Sequence, residues 1–101
     1  MDKRFASAVL ALALTTSAYA AIKEEPVTYK DGDTTMKGFI VYDDAVKGKR
    51  PGIVVVPEWW GITKHVHSEG RKMAAQGYTA FLADMYGDGK TADNPKDAGA
   101  L

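Results

Sequence analysis

The chain has 101 residues and no cysteine. No disulfide can staple the fold, and no lipid-modified cysteine can follow a leader. Net charge is also absent, because 13 Lys+Arg balance 13 Asp+Glu. That balance leaves no electrostatic footprint for nucleic acid or for an acidic membrane surface. Histidine is scarce: only His65 and His67 are present. They stand two apart in a predicted helix and point to nearly opposite sides, so they cannot share a metal, which on one helix needs i, i+4 spacing. No apolar run is long enough to span a bilayer. The stretch Phe5 to Leu14, "FASAVLALAL", is about half of the roughly 20 residues required. Repeats and low-complexity tracts are missing too.

What the N-terminus does contain is ordered like a secretory leader. Lys3 and Arg4 precede the short apolar run, and Ala18-Tyr19-Ala20 is a small-x-small cleavage signal. Residues 1–20 are therefore expected to be a signal peptide, removed on export to the periplasm or the medium, with no stable membrane association afterwards. Cleavage would remove two of the 13 bases, Lys3 and Arg4, and one of the 13 acids, Asp2, leaving a net charge of −1. The mature part, residues 21–101, would have to hold itself together by its core alone. For a chain of that size such a core is marginal.

The remaining sequence alternates strand and helix signals. "AIKEEP" is a polar lead-in, and Val27-Thr28-Tyr29 can start a strand. "KDGD", Lys30 to Asp33, is a turn signal, and "TTMKGFIVY", residues 34–42, reads as an antiparallel return strand. Ile53 to Val56 reads as a fully buried strand. Thr63 is a good helix N-cap and Gly77 a good residue just past a helix end. Between them Val66, Met73 and Ala74 share one face. Gly70, in mid-helix, implies close packing on a sheet. Residues 78–84, "YTAFLAD", read as a second buried strand, and a short helix can start near Pro95. Strand, helix and strand in about 32 residues make a βαβ unit with parallel strands and a right-handed crossover. Parallel sheets are covered on both faces, but only one such helix is visible. The expected fold class is therefore α/β, an antiparallel strand pair followed by a βαβ unit, forming the first part of a larger domain.

In open α/β sheets function gathers at the carboxyl ends of strands. "PEWWG", residues 57–61, occupies one such end and Asp84 to Gly89 another. A carboxylate at the end of a buried strand is costly unless it is paired or faces a cleft. Glu58 is thus either a site acid, with Trp59 and Trp60 walling the cleft, or a loop residue facing water. Tandem tryptophans also suit a stacking platform for a sugar or aromatic ligand, so an exported binding module is one alternative reading and a noncatalytic remnant another. Ser68, in "VHSEG", lacks the first glycine of a nucleophile elbow and lies inside a helix. "GDGK", residues 87–90, lacks phosphate-loop spacing and reads as a turn. Asp84 is expected to bond loop amides.

Taken together, "RPGIVVVPEWWGI" (50–62) and "GRKMAAQGYTAFLADMYGDGKTADNPKDAGAL" (70–101) resemble the dienelactone hydrolase family of α/β-hydrolases, with residues 25–49 matching more loosely. The resemblance implies a doubly wound sheet and an enzyme acting on small ester or lactone substrates, with a Cys or Ser nucleophile, an Asp and a His. It implies no cofactor and no metal. No elbow is present here and both histidines are misplaced, so the triad is expected beyond Leu101 and the 101 residues alone are expected to be inactive. The resemblance gives Glu58 the role of the acid that contacts the nucleophile. It gives the Trp59 backbone N–H a place in the oxyanion hole and leaves Trp60 to line the substrate cleft. Many relatives carry His directly before that Glu; here the residue is Pro57.

Overall fold

The computed structural model describes residues 21–101. The expected leader, residues 1–20, lies outside the described residues. The chain runs β1 (Ile22–Asp31), β2 (Thr34–Asp43), β3 (Gly52–Val55), α1 (Lys64–Ala75), β4 (Thr79–Leu82) and α2 (Pro95–Gly99). The strands form one sheet in the order β1-β2-β4-β3. β1 and β2 are an antiparallel hairpin joined by Gly32-Asp33, and β2 also pairs antiparallel with β4. β3 and β4 are parallel, from Gly52↔Thr79 to Val55↔Leu82. The antiparallel pair followed by a βαβ unit is the expected order.

β1 begins earlier than the sequence suggests. Its ten residues pair with all ten of β2, from Ile22↔Asp43 to Asp31↔Thr34, so "IKEEP" is strand rather than lead-in. Pro26 interrupts no sheet because β1 is an edge strand, where a missing N–H is tolerated. Cross-strand and sheet-to-helix polar contacts hold the segment. The Tyr42 hydroxyl donates to Glu25 Oε1 at 2.6 Å. On the other face Glu24 bonds His67 Nδ1 at 2.8 Å and receives Arg71 Nη1 at 3.1 Å, both from α1.

Helix α1 covers one face of the sheet. Thr63 occupies the N-cap position in extended conformation, yet its side chain makes no capping bond; its carbonyl accepts the His67 N–H at 3.1 Å. The C-terminal end closes as a Schellman motif, with Tyr78 N–H on Met73 O and Gly77 N–H on Ala74 O. Val66, Gly70 and Ala74 are the buried face. They meet Val41, Ala80 and Leu82, with Phe39, Val55, Ile62 and Met73 at the margin. A Cβ on Gly70 would sit 3.0 Å from Leu82 Cδ2 and 3.4 Å from Val41 Cγ2. Helix and sheet therefore pack closely at this glycine, as its presence in mid-helix implied.

The second face is open among the described residues, and this corrects the expectation for β3. Ile53 to Val56 is not a fully buried strand: Val54 is 66% exposed and Val56 62%. The cause is position. β3 is the edge of the described sheet, and α1 packs on β4, β2 and β1 rather than over β3. Only Val55 reaches the core.

Candidate active site

The carboxyl end of β3 leads into a tight reversal at Glu58–Gly61. The Gly61 N–H points to the Glu58 carbonyl at 3.4 Å, longer than an ordinary hydrogen bond of this type. Trp59 and Trp60 are the two central residues. The internal bond of such a turn runs from the fourth residue to the first, so it uses neither tryptophan N–H. Among the described residues neither N–H has an acceptor. Gly61 is buried at φ +83°, and a Cβ there would lie 2.6 Å from the Lys90 carbonyl. Backbone conformation and space both restrict this position to glycine.

The loop after β4 passes directly over this turn and fastens it. Ala92 N–H donates to the Trp60 carbonyl at 3.0 Å. The Tyr86 hydroxyl donates to the Trp59 carbonyl at 2.6 Å. Sequence reasoning missed Tyr86: its partner lies 27 residues away, and no local pattern encodes a side-chain bond across that distance.

Asp84 organises the loop. It is 4% exposed. Its Oδ1 accepts the N–H groups of Tyr86 (3.0 Å) and Gly87 (2.9 Å), and its Oδ2 those of Lys37 and Gly89 (both 2.8 Å). Burial alone would push its carboxyl up. The backbone donors outweigh that and hold it below its ordinary value of 3.8. The Tyr29 hydroxyl accepts the Asp84 N–H at 2.7 Å and donates to the Asp84 carbonyl at 3.0 Å. The expected amide-bonding role of Asp84 is what the structure shows. "GDGK" is a turn, with Gly87, Asp88 and Gly89 all at positive φ.

Beside the reversal lies a cavity of about 410 Å³. Val55, Val66 and Met73 give it apolar walls, and Glu58, Trp60 and His65 are among its polar and aromatic lining. The structure thus brings Glu58 and Trp60 to one cleft. Trp59 is not part of its lining and is 50% exposed, so only one of the two tryptophans walls the cleft. Their ring centroids are 5.6 Å apart at 33°. The two planes are tilted to one another, so the pair does not form one flat platform for a stacked ligand. His65 belongs to the cleft while His67 is turned to Glu24, the opposite sides expected from their spacing. Ser68 lies beside a different depression, with Ile22 and Lys72. Among the described residues no three metal-ligating side chains cluster.

The sequence profile of the dienelactone hydrolase family matches residues 36–101. The chain belongs to that family. The matched stretch contains both the Glu58–Gly61 reversal and the Asp84 loop that holds it. The protein usf of Aquifex pyrophilus is 35% identical over 78 residues, which are 74% of this chain and 32% of that protein. The solved structure of m3DLH has a TM-score of 0.74 at 36% identity, covering 79% of this chain and 33% of that one. The dienelactone hydrolase-like promiscuous phosphotriesterase P91 from metagenomic libraries gives the same TM-score at 34% identity, covering 80% and 34%. The chain therefore spans about a third of the length of the relatives it matches. Its sheet is correspondingly a partial version of the family fold.

Proposed function

We propose that this chain supplies the acid and an oxyanion donor of an exported hydrolase acting on ester or lactone bonds. The nucleophile, a Cys or Ser, and its Asp and His come from sequence beyond residue 101. The observation that carries the reading is the Glu58–Gly61 reversal. It sets a carboxylate on a cleft at a strand end and leaves the adjacent Trp59 N–H free of the turn's own bond.

The chemistry is acyl transfer. The nucleophile attacks the acyl carbon, and the carbonyl oxygen takes the negative charge. The Trp59 N–H donates to that oxygen, in a place where the donor is already oriented and nothing must reorganise. The alcohol leaves with a proton, and water releases the acid from the enzyme. Glu58 acts on the nucleophile, holding its proton in the resting state or taking it when substrate arrives. Trp60 and the apolar side chains of Val55, Val66 and Met73 receive the organic part of the substrate. Belonging to this proposal are export, cleavage after Ala20, and a periplasmic or extracellular location.

The similarity to the phosphotriesterase P91 widens the substrate test. Aryl esters, a simple lactone and an aryl phosphotriester should be assayed side by side with the full-length protein. Turnover of an ester or the lactone, lowered by Glu58→Gln, supports the reading. Turnover of the phosphotriester alone would replace its substrate class.

A further inference from the structure

We propose that Tyr86 is a positioning residue for the oxyanion donor. The inference rests on the role proposed for the Trp59 N–H. That N–H lies in the Glu58–Trp59 peptide plane, and the turning of that plane is restrained by its own carbonyl bond and by the neighbouring plane that meets it at the Trp59 Cα. One plane is held by the bond from Gly61 N–H to the Glu58 carbonyl, which at 3.4 Å restrains it weakly. The other carries the Trp59 carbonyl, and the Tyr86 hydroxyl grips it at 2.6 Å. The shorter bond therefore comes from outside the turn.

Tyr86 can hold a direction because it is itself held. Its N–H is bound by Asp84 Oδ1, and Asp84 Oδ2 is bound by Lys37 N–H in the middle of β2. Rigidity passes from the sheet through Asp84 and Tyr86 to the Trp59 carbonyl. A neutral hydrogen bond at the exposed surface adds little net stability, because water offers the same partner when it is broken. Its value lies in geometry: an oxyanion donor works only when it is aimed at the oxygen before the charge appears. Tyr86 is not among the residues lining the cavity, and its hydroxyl meets the turn at the Trp59 carbonyl, so it acts through Trp59.

The test is Tyr86→Phe in the full-length protein, with two readouts. The first is the amide nitrogen of Trp60 in protein labelled with 15N-tryptophan. The Trp59 carbonyl belongs to the same peptide unit, so losing its hydrogen bond should move that resonance upfield. The second is steady-state hydrolysis of an aryl ester. A misaimed donor is lost in the transition state only, so kcat should fall roughly tenfold while KM stays within about a factor of two. An unmoved Trp60 resonance overturns the proposal, since the bond then does not exist in solution. A moved resonance with unchanged kcat overturns it as well, since the bond then serves structure alone. A wild-type protein that turns over none of the substrates overturns the parent reading and this one together. An active wild type with an unaffected Tyr86→Phe variant overturns only the positioning role.

Discussion

The Asp84 carboxylate receives the Lys37 backbone N–H at 2.8 Å, and so ties the end of β4 to a strand 47 residues earlier in sequence. The three other N–H groups on the same carboxylate belong to the loop that overlies Trp59 and Trp60. One buried anion thus ties an interior strand of the sheet to the loop that roofs the candidate site. Asp84→Asn puts an NH2 group where two N–H donors already point. In the full-length protein it should lower stability by about 2–4 kcal/mol, read as the shift in a denaturant midpoint. A shift within experimental error would show that the amides find other partners.

The same carboxylate should contribute to acid sensitivity. Its folded pKa is depressed, because its backbone donors outweigh the effect of burial. An unfolded Asp titrates near 3.9. Stability from this group is therefore complete above about pH 4, and it is lost as pH falls through the lower folded value. Below about pH 4 the Asp84→Asn variant should lose stability less steeply than wild type. Parallel curves of stability against pH would contradict this.

Gly70→Ala sets two effects against each other. Alanine gains up to about 1 kcal/mol of helix propensity. Its Cβ would also lie 3.0 Å from a terminal carbon of Leu82, a fully buried side chain that would have to give way by a few tenths of an ångström. Overpacking of this kind costs about 1–3 kcal/mol, so the variant should be destabilised on balance. A raised melting temperature would mean that α1 can lift from the sheet without loss.

The βαβ unit was readable because its signals are local. Val66, Met73 and Ala74 share a helical face, Gly77 ends the helix, and Gly70 announces a close approach to the sheet. The start of β1 was hidden because Glu24, Glu25 and Pro26 look like a solvated lead-in. Their strand pairing depends on β2, and the contacts of Glu24 depend on His67 and Arg71, far away in sequence. The apolar run at Val54 and Val56 misled in the other direction. It matches a strand covered on both faces, whereas both side chains are exposed among the described residues. In the site, the strand-end rule points to a cleft there, and Trp60 and the exposed Glu58 are among the residues lining one. It could not say that Trp59 stays outside the lining, or that its carbonyl is bonded by Tyr86 from 27 residues away.

Export should leave a defined N-terminus. Lys3-Arg4, the short apolar run and Ala18-Tyr19-Ala20 place cleavage after Ala20. N-terminal sequencing of protein from the exported fraction should begin at Ala21. A mature protein that starts at Met1 would refute the leader.

The central claim is that Glu58 acts on the reacting groups rather than on the loop. Gln keeps its shape and most of its hydrogen bonding and removes the ionisable oxygen. In the full-length protein Glu58→Gln should lower kcat/KM for an aryl ester by about 10²-fold or more, as expected for loss of a general base, and leave the melting temperature within a few degrees. Trp60→Phe, measured beside it, should act mainly on KM, because its ring lines the cleft. Wild-type-like turnover in Glu58→Gln, above all with a lowered melting temperature, would contradict the account and leave Glu58 a structural residue of the turn.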